Sequence, residues 1–218
     1  MTGRRALLAG ATGLVGGECL RRLVASEAYA RVTVVARRDP GGVARHPKVR
    51  LLIGDLGAMA SFGDALAADD VFCALGTTIR KAGSQERFRQ VDQAYPLQLA
   101  RLSRSAGARH FSLVSALGAD PESRVFYSRV KGEVEQSLRA MGWPSLVILR
   151  PSLIAGERAE SRPLERLAGH ALRFAPATWR PVAAADIASA MVATALDAPP
   201  GVTVIESRDI PRAGSASA

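Results

Sequence analysis

The sequence predicts an α/β fold: a Rossmann-type, doubly wound and mostly parallel sheet with helices on both faces, in a single domain. Three observations predict it. Short apolar or β-branched runs alternate with amphipathic stretches of about ten to fifteen residues, the pattern of βαβ units. A glycine-rich turn, Gly10 to Gly16, separates the first such run from the first helical stretch. The length of 218 residues suffices to bury one α/β core and is short for two.

Strands are expected at Arg5–Ala9, Arg31–Ala36, Val49–Gly54, Asp70–Ala74, His110–Ser115, Ser145–Arg150 and Val202–Glu206. Helical patterns fall at Leu14–Ser26, Ala58–Leu66, Asp92–Ala106, Phe126–Met141, Leu164–Phe174 and Ala185–Leu196. Gly107 and Gly142 each follow a helical run and suit a left-handed cap. Trp143-Pro144 then forces an extended entry into the next strand. The stretch Ser84–Arg89 reads as a flap between the fourth strand and its helix. The domain is expected over residues 1–211, with a small substrate region at about 151–185 and a frayed Gly/Ser/Ala-rich tail at 212–218.

Apolar residues make up 48% and charged residues 22%, ordinary for a globular protein. Aromatics are only 5%, so the core must be built from Leu, Val, Ile and Ala, as parallel sheets commonly are. The net charge of +9 comes from arginines spread along the whole chain, with no basic tail or recognition helix, so no nucleic-acid partner is expected. Arg4 and Arg5 before the apolar run to Val15 superficially resemble a signal peptide, but four glycines and Glu18 favour a buried strand and turn. No apolar run approaches the ~20 residues of a membrane span. Cys19 and Cys73 are far apart, and His46, His110 and His170 are scattered, so no metal site is expected and a reducing, cytoplasmic location follows as the default.

In the glycine turn, Gly10 permits the tight bend, Gly13 lets backbone approach a pyrophosphate and Gly16 lets the helix pack on the sheet. Ala11, Thr12, Leu14 and Val15 complete a cradle whose amides face the phosphates at a helix N-terminus. The second strand ends in Arg37-Arg38, where an NAD site usually carries Asp or Glu for the ribose 2′-hydroxyl. Two guanidiniums suit a 2′-phosphate, which predicts NADP(H) over NAD(H). Asp55 and Leu56 close the third strand; Asp55 either accepts from the adenine amino group or caps a helix. Leu75, Gly76, Thr77 and Thr78 at the fourth strand's end are small enough to let a cofactor lie against backbone.

Ser115 stands at the end of the fifth strand, where open α/β sheets bind ligands. Tyr127 and Lys131 are i and i+4 on one helix face. A nearby ammonium favours the tyrosinate, so Tyr127 can pass a proton to an alkoxide formed by hydride transfer. Ser115 is expected to donate a hydrogen bond to the reacting carbonyl, and Lys131 to hold the nicotinamide ribose. Lys131 is one of three lysines in an arginine-rich chain, and arginine replaces it poorly there.

These residues resemble the short-chain dehydrogenase/reductases of the atypical, extended-like type, and within them the Tat-interacting-protein-like oxidoreductases. The matching segments are Gly10–Gly16, His110–Asp120, Tyr127–Glu135 with its Val130-Lys131-Gly132-Glu133-Val134-Glu135 run, Arg150-Pro151, and Glu157 to Pro163. The resemblance implies a doubly wound fold, NADP(H) binding, a Ser115, Tyr127, Lys131 triad and a nicotinamide lying near Pro151, Ser152, Leu153 and Ile154. Many members of the wider superfamily carry an Asn after the fourth strand that supports a proton relay; here the nearest equivalents are Asp92 and Gln93. Reduction of a small carbonyl compound is the leading expectation. A regulatory NADP(H)-binding protein and an epimerase or dehydratase are the alternatives. Arg158, Glu160, Arg162, Trp179 and Arg180 are the polar and aromatic residues available to shape a substrate pocket, and none identifies a substrate. A homodimer through the helices that flank the triad is compatible with the sequence and not required by it.

Overall fold

A computed structural model gives the fold and describes residues 3–155 and 180–215. Seven strands form one sheet: β1 (Arg4–Ala9), β2 (Tyr29–Ala36), β3 (Val49–Ile53), β4 (Asp70–Cys73), β5 (His110–Val114), β6 (Ser145–Arg150) and β9 (Gly201–Glu206). All neighbours are parallel, in the order β3-β2-β1-β4-β5-β6-β9. The order reverses between β1 and β4, which makes the crevice above their carboxyl ends the place where such sheets bind ligands.

The alternation in β1 shows how the sequence covers two faces. Ala6 and Leu8 join one core with α1 (Leu14–Ala25) and α6 (Ala184–Asp197). Leu7 and Ala9 join the other, with α4 (Tyr95–Ser105) and α5 (Phe126–Arg139). A period of two along the strand thus meets helices on both sides. At the opposite end from the crevice, buried Asp70 accepts from Arg4 Nε at 2.7 Å and from the Tyr29 hydroxyl at 2.9 Å, tying β1, β2 and β4 together. Cys19 and Cys73 are fully buried, and burial pushes their thiols up to about 12 and about 11, so neither supplies thiolate.

Three expectations are corrected. The helix predicted over Ala58–Leu66 is a 3-10 segment, Leu56–Leu66, bent at Ala58 and broken at Gly63, whose φ of +51° no helix accommodates. The flap expected at Ser84–Arg89 is a capped helix, α3 (Gln85–Arg89), in which the Ser84 hydroxyl accepts from Arg87 N at 3.1 Å. Of the tail expected to fray over 212–218, the part up to Ser215 continues α7 (Ile210–Ser215), where Pro211 suits a helix start and Gly214 lets the helix lie on Ser189 of α6; residues 216–218 lie outside the described residues. A short second sheet, β7 (Ile154–Ala155) with β8 (Val182–Ala183), has no counterpart in the sequence reading. The predicted helix Leu164–Phe174 and the residues Arg158, Glu160, Arg162 and Trp179 lie outside the described residues. Among the described residues no helix is long and apolar enough to cross a membrane, and no cluster of potential ligands could hold a metal ion.

Candidate cofactor cleft and active site

The turn between β1 and α1 owes its shape to its glycines. Gly10 has φ +98°, and a Cβ there would run into the Ala74 carbonyl at the end of β4. A Cβ on Gly16 would run into the Gly10 carbonyl, so Gly16 closes the turn on itself as well as seating α1. Gly13 N donates to Gly10 O at 2.9 Å. No side chain caps α1 and no acidic residue occupies its first turn, which leaves its leading amides and dipole to an anion.

Over this turn opens a cleft of about 520 Å3. Its wall contains nine of the residues expected there from sequence: Gly10, Ala11, Thr12, Gly13, Arg37, Arg38, Leu56, Leu75 and Gly76. It also contains Lys81, Val91 and Tyr95, which sequence reasoning missed. Lys81 lies on α2 (Ile79–Ala82), a single turn capped by the Thr78 hydroxyl, which accepts from Lys81 N at 3.2 Å. The wall carries three cations and no carboxylate. An open, glycine-lined cradle under an uncapped helix, with a cationic flank, fits the phosphates of a dinucleotide.

The other sequence candidates take different positions. Val15 and Gly16 are buried beneath the turn, and Leu14 packs on the core beside them. Asp55 turns its carboxylate to its own backbone, Oδ1 accepting from Gly57 N at 3.0 Å, which is the capping alternative. Pro151 is buried; Ser152 N donates to Ser207 Oγ at 3.1 Å, and its hydroxyl donates to Arg180 O at 2.6 Å. Leu153 and Ile154 are exposed.

Helix α5 brings Tyr127 and Lys131 to one face. It can lie against the loop after β5 because Gly132 faces Asp120 and Pro121 with no room for a Cβ, and Asp120 N donates to Ser128 O at 3.1 Å. The Tyr127 ring packs on Phe88 with centroids 5.6 Å apart. Lys131 is buried, its Nζ 2.7 Å from Asp92 Oδ1. Burial opposes charge on Lys131, but the Asp92 carboxylate, then Tyr127, outweigh it and hold the ammonium above the ordinary lysine value. Gly76 joins this pair to the cleft: a Cβ on it would stand 3.5 Å from Asp92 Oδ1 and 3.9 Å from Lys131 Nζ.

Ser115 has a protein partner that the sequence analysis did not give it. Its hydroxyl donates to Glu135 Oε1 at 2.6 Å, and a hydroxyl has one proton to give. Glu135 is 2% exposed and is gripped by Arg150, with Nε 3.0 Å from Oε1 and Nη2 2.6 Å from Oε2. Tyr127, Lys131 and Glu135 stand at i, i+4 and i+8 on α5, a signal that was available in the sequence.

Fold and cleft together are those of a dinucleotide-binding protein with a Rossmann-type sheet. The chain belongs to the NAD(P)H-binding family, whose model matches residues 10–198. It is 40% identical over 166 residues to the protein fmp52, mitochondrial, of Emericella nidulans, covering 74% of this chain and 71% of the relative. It is 34% identical over 181 residues to the protein HTATIP2 of Rattus norvegicus, covering 82% of this chain and 74% of that one. The structure of MoeE5 in complex with UDP-glucose and NAD superposes with a TM-score of 0.72 over 94% of this chain and 79% of that one, at 18% identity, and shares the fold. The cytoplasmic expectation does not stand, since the fmp52 relatives are named as mitochondrial. It rested on cysteine usage, which reports redox state and not compartment.

Proposed function

We propose that the chain is an NADPH-dependent oxidoreductase that reduces a small carbonyl compound, with Tyr127 as general acid. The observation that carries this reading is the composition of the cleft wall: Arg37, Arg38 and Lys81 around a glycine cradle, with no carboxylate to receive a free 2′-hydroxyl. Arg37 and Arg38 would grip a 2′-phosphate, and the leading amides of α1 the pyrophosphate. The bound cofactor supplies a hydride. Tyr127 gives a proton to the substrate oxygen, and Lys131 keeps a positive charge beside it.

Purified protein incubated with NADPH and a panel of aldehydes and ketones is expected to oxidise NADPH with at least one of them. Tightly held nucleotide that no member of the panel oxidises would contradict the reductase reading in favour of an epimerase or a binding protein.

A further inference from the structure

Asp92 sits within one π-helical turn, Gln90–Ala94, between α3 and α4; Tyr95 N donates back to Gln90 O. Such turns widen a helix locally and often re-aim a side chain at a functional site. Here the carboxylate points to two partners on different elements. Oδ2 accepts from Thr77 N at 2.8 Å, in the segment after β4, and Oδ1 lies 2.7 Å from Lys131 Nζ on α5. Asp92 is 2% exposed and Lys131 5%. A buried ion pair is a poor stabilising device, because desolvating both charges offsets most of their attraction and apolar residues would serve as well. What it does supply is an ammonium at a fixed place, and this one stands beside Gly76 in the cleft wall.

We propose that Asp92 is a positioning residue: it holds Lys131 as an ammonium beside Gly76 and locks that ammonium in register with the Thr77 backbone, so that one buried carboxylate aligns α5 with the cofactor cleft. The cofactor half of this proposal rests on the NADPH reading above; the lysine half does not. The groups facing Lys131 are Asp92, Tyr127 and the buried Cys73 thiol. Burial disfavours the ammonium, and Asp92 is the largest influence that restores it. The ammonium is therefore present below its raised value and lost as pH rises through it.

The chain has three lysines, Lys48, Lys81 and Lys131, so lysine-selective NMR can follow each titration, with Lys131→Met assigning its resonance. In the wild type, Lys131 is expected to titrate above the ordinary lysine value. In Asp92→Asn, which keeps the shape and an acceptor for Thr77 N, its midpoint is expected to fall while those of Lys48 and Lys81 stay put. NADPH affinity in that variant should acquire an alkaline limb, weakening about tenfold per pH unit above the lowered midpoint. An unchanged Lys131 midpoint in folded Asp92→Asn overturns the proposal. Should that variant not fold, a wild-type midpoint at or below the ordinary value overturns it equally. If no form of the protein binds NADPH, the proposed function falls while the lysine titration still decides the role of Asp92.

Discussion

Tyr127→Phe is expected to lower turnover by about 10²–10⁴-fold, the range in which a positioned general acid contributes. NADPH affinity should stay within about twofold, because the phenol is not among the residues that line the dinucleotide cleft. The ring packs on Phe88 and its loss of one oxygen leaves that contact intact, so the fold should survive. Steady-state kinetics with the best carbonyl substrate, alongside a fluorescence titration with NADPH, separates the two effects. Turnover in Tyr127→Phe equal to the wild type would remove Tyr127 from the mechanism, and a parallel loss of cofactor affinity would mean it acts in binding.

Arg150→Ala carries the largest expected cost to stability. Glu135 is 2% exposed, and Arg150 meets both of its oxygens while also reaching Glu206 Oε1 on the neighbouring strand at 3.1 Å. Without Arg150, the buried carboxylate keeps the Ser115 hydroxyl and only a loose contact with Arg139, 4.0 Å away. Leaving a buried charge uncompensated costs about 3–5 kcal/mol, a large share of a domain's net stability. Urea denaturation should show it as a lower midpoint at unchanged slope. Replacing both partners, as Arg150→Met with Glu135→Leu, should recover most of the loss, since apolar residues can stand in for a buried pair. A single variant within about 1 kcal/mol of the wild type would show that Glu135 is not held as the structure places it.

The fold was legible because its signals are local. Alternation along β1 and the Gly10–Gly16 turn can be read within one βαβ unit, and each strand's end marks the crevice. Arg37, Arg38 and Gly76 were legible for the same reason: they stand at strand ends whose neighbours the topology dictates. Residues that reach the site from elsewhere were not. Lys81 was missed because it reaches the cleft from the single turn α2 after β4; Asp92 was named by its place after the fourth strand, but its contacts with Thr77 and Lys131 join elements far apart in the chain. Ser115 stands just after β5, and the Glu135 carboxylate that its hydroxyl meets could not be paired with it from sequence, because it belongs to a helix twenty residues on. The segment Leu56–Leu66 misled because its apolar spacing suits a helix while Gly63 prevents one.

Selection of a 2′-phosphorylated dinucleotide by the cleft is tested by calorimetric titration of the wild type and Arg37→Ala with NADPH and NADH. The wild type is expected to bind NADPH more tightly than NADH. Arg37→Ala is expected to weaken NADPH about tenfold or more, the worth of a charge-assisted hydrogen bond, with NADH unchanged within about twofold. Tighter binding of NADH by the wild type, or an equal loss for both cofactors in the variant, would contradict it.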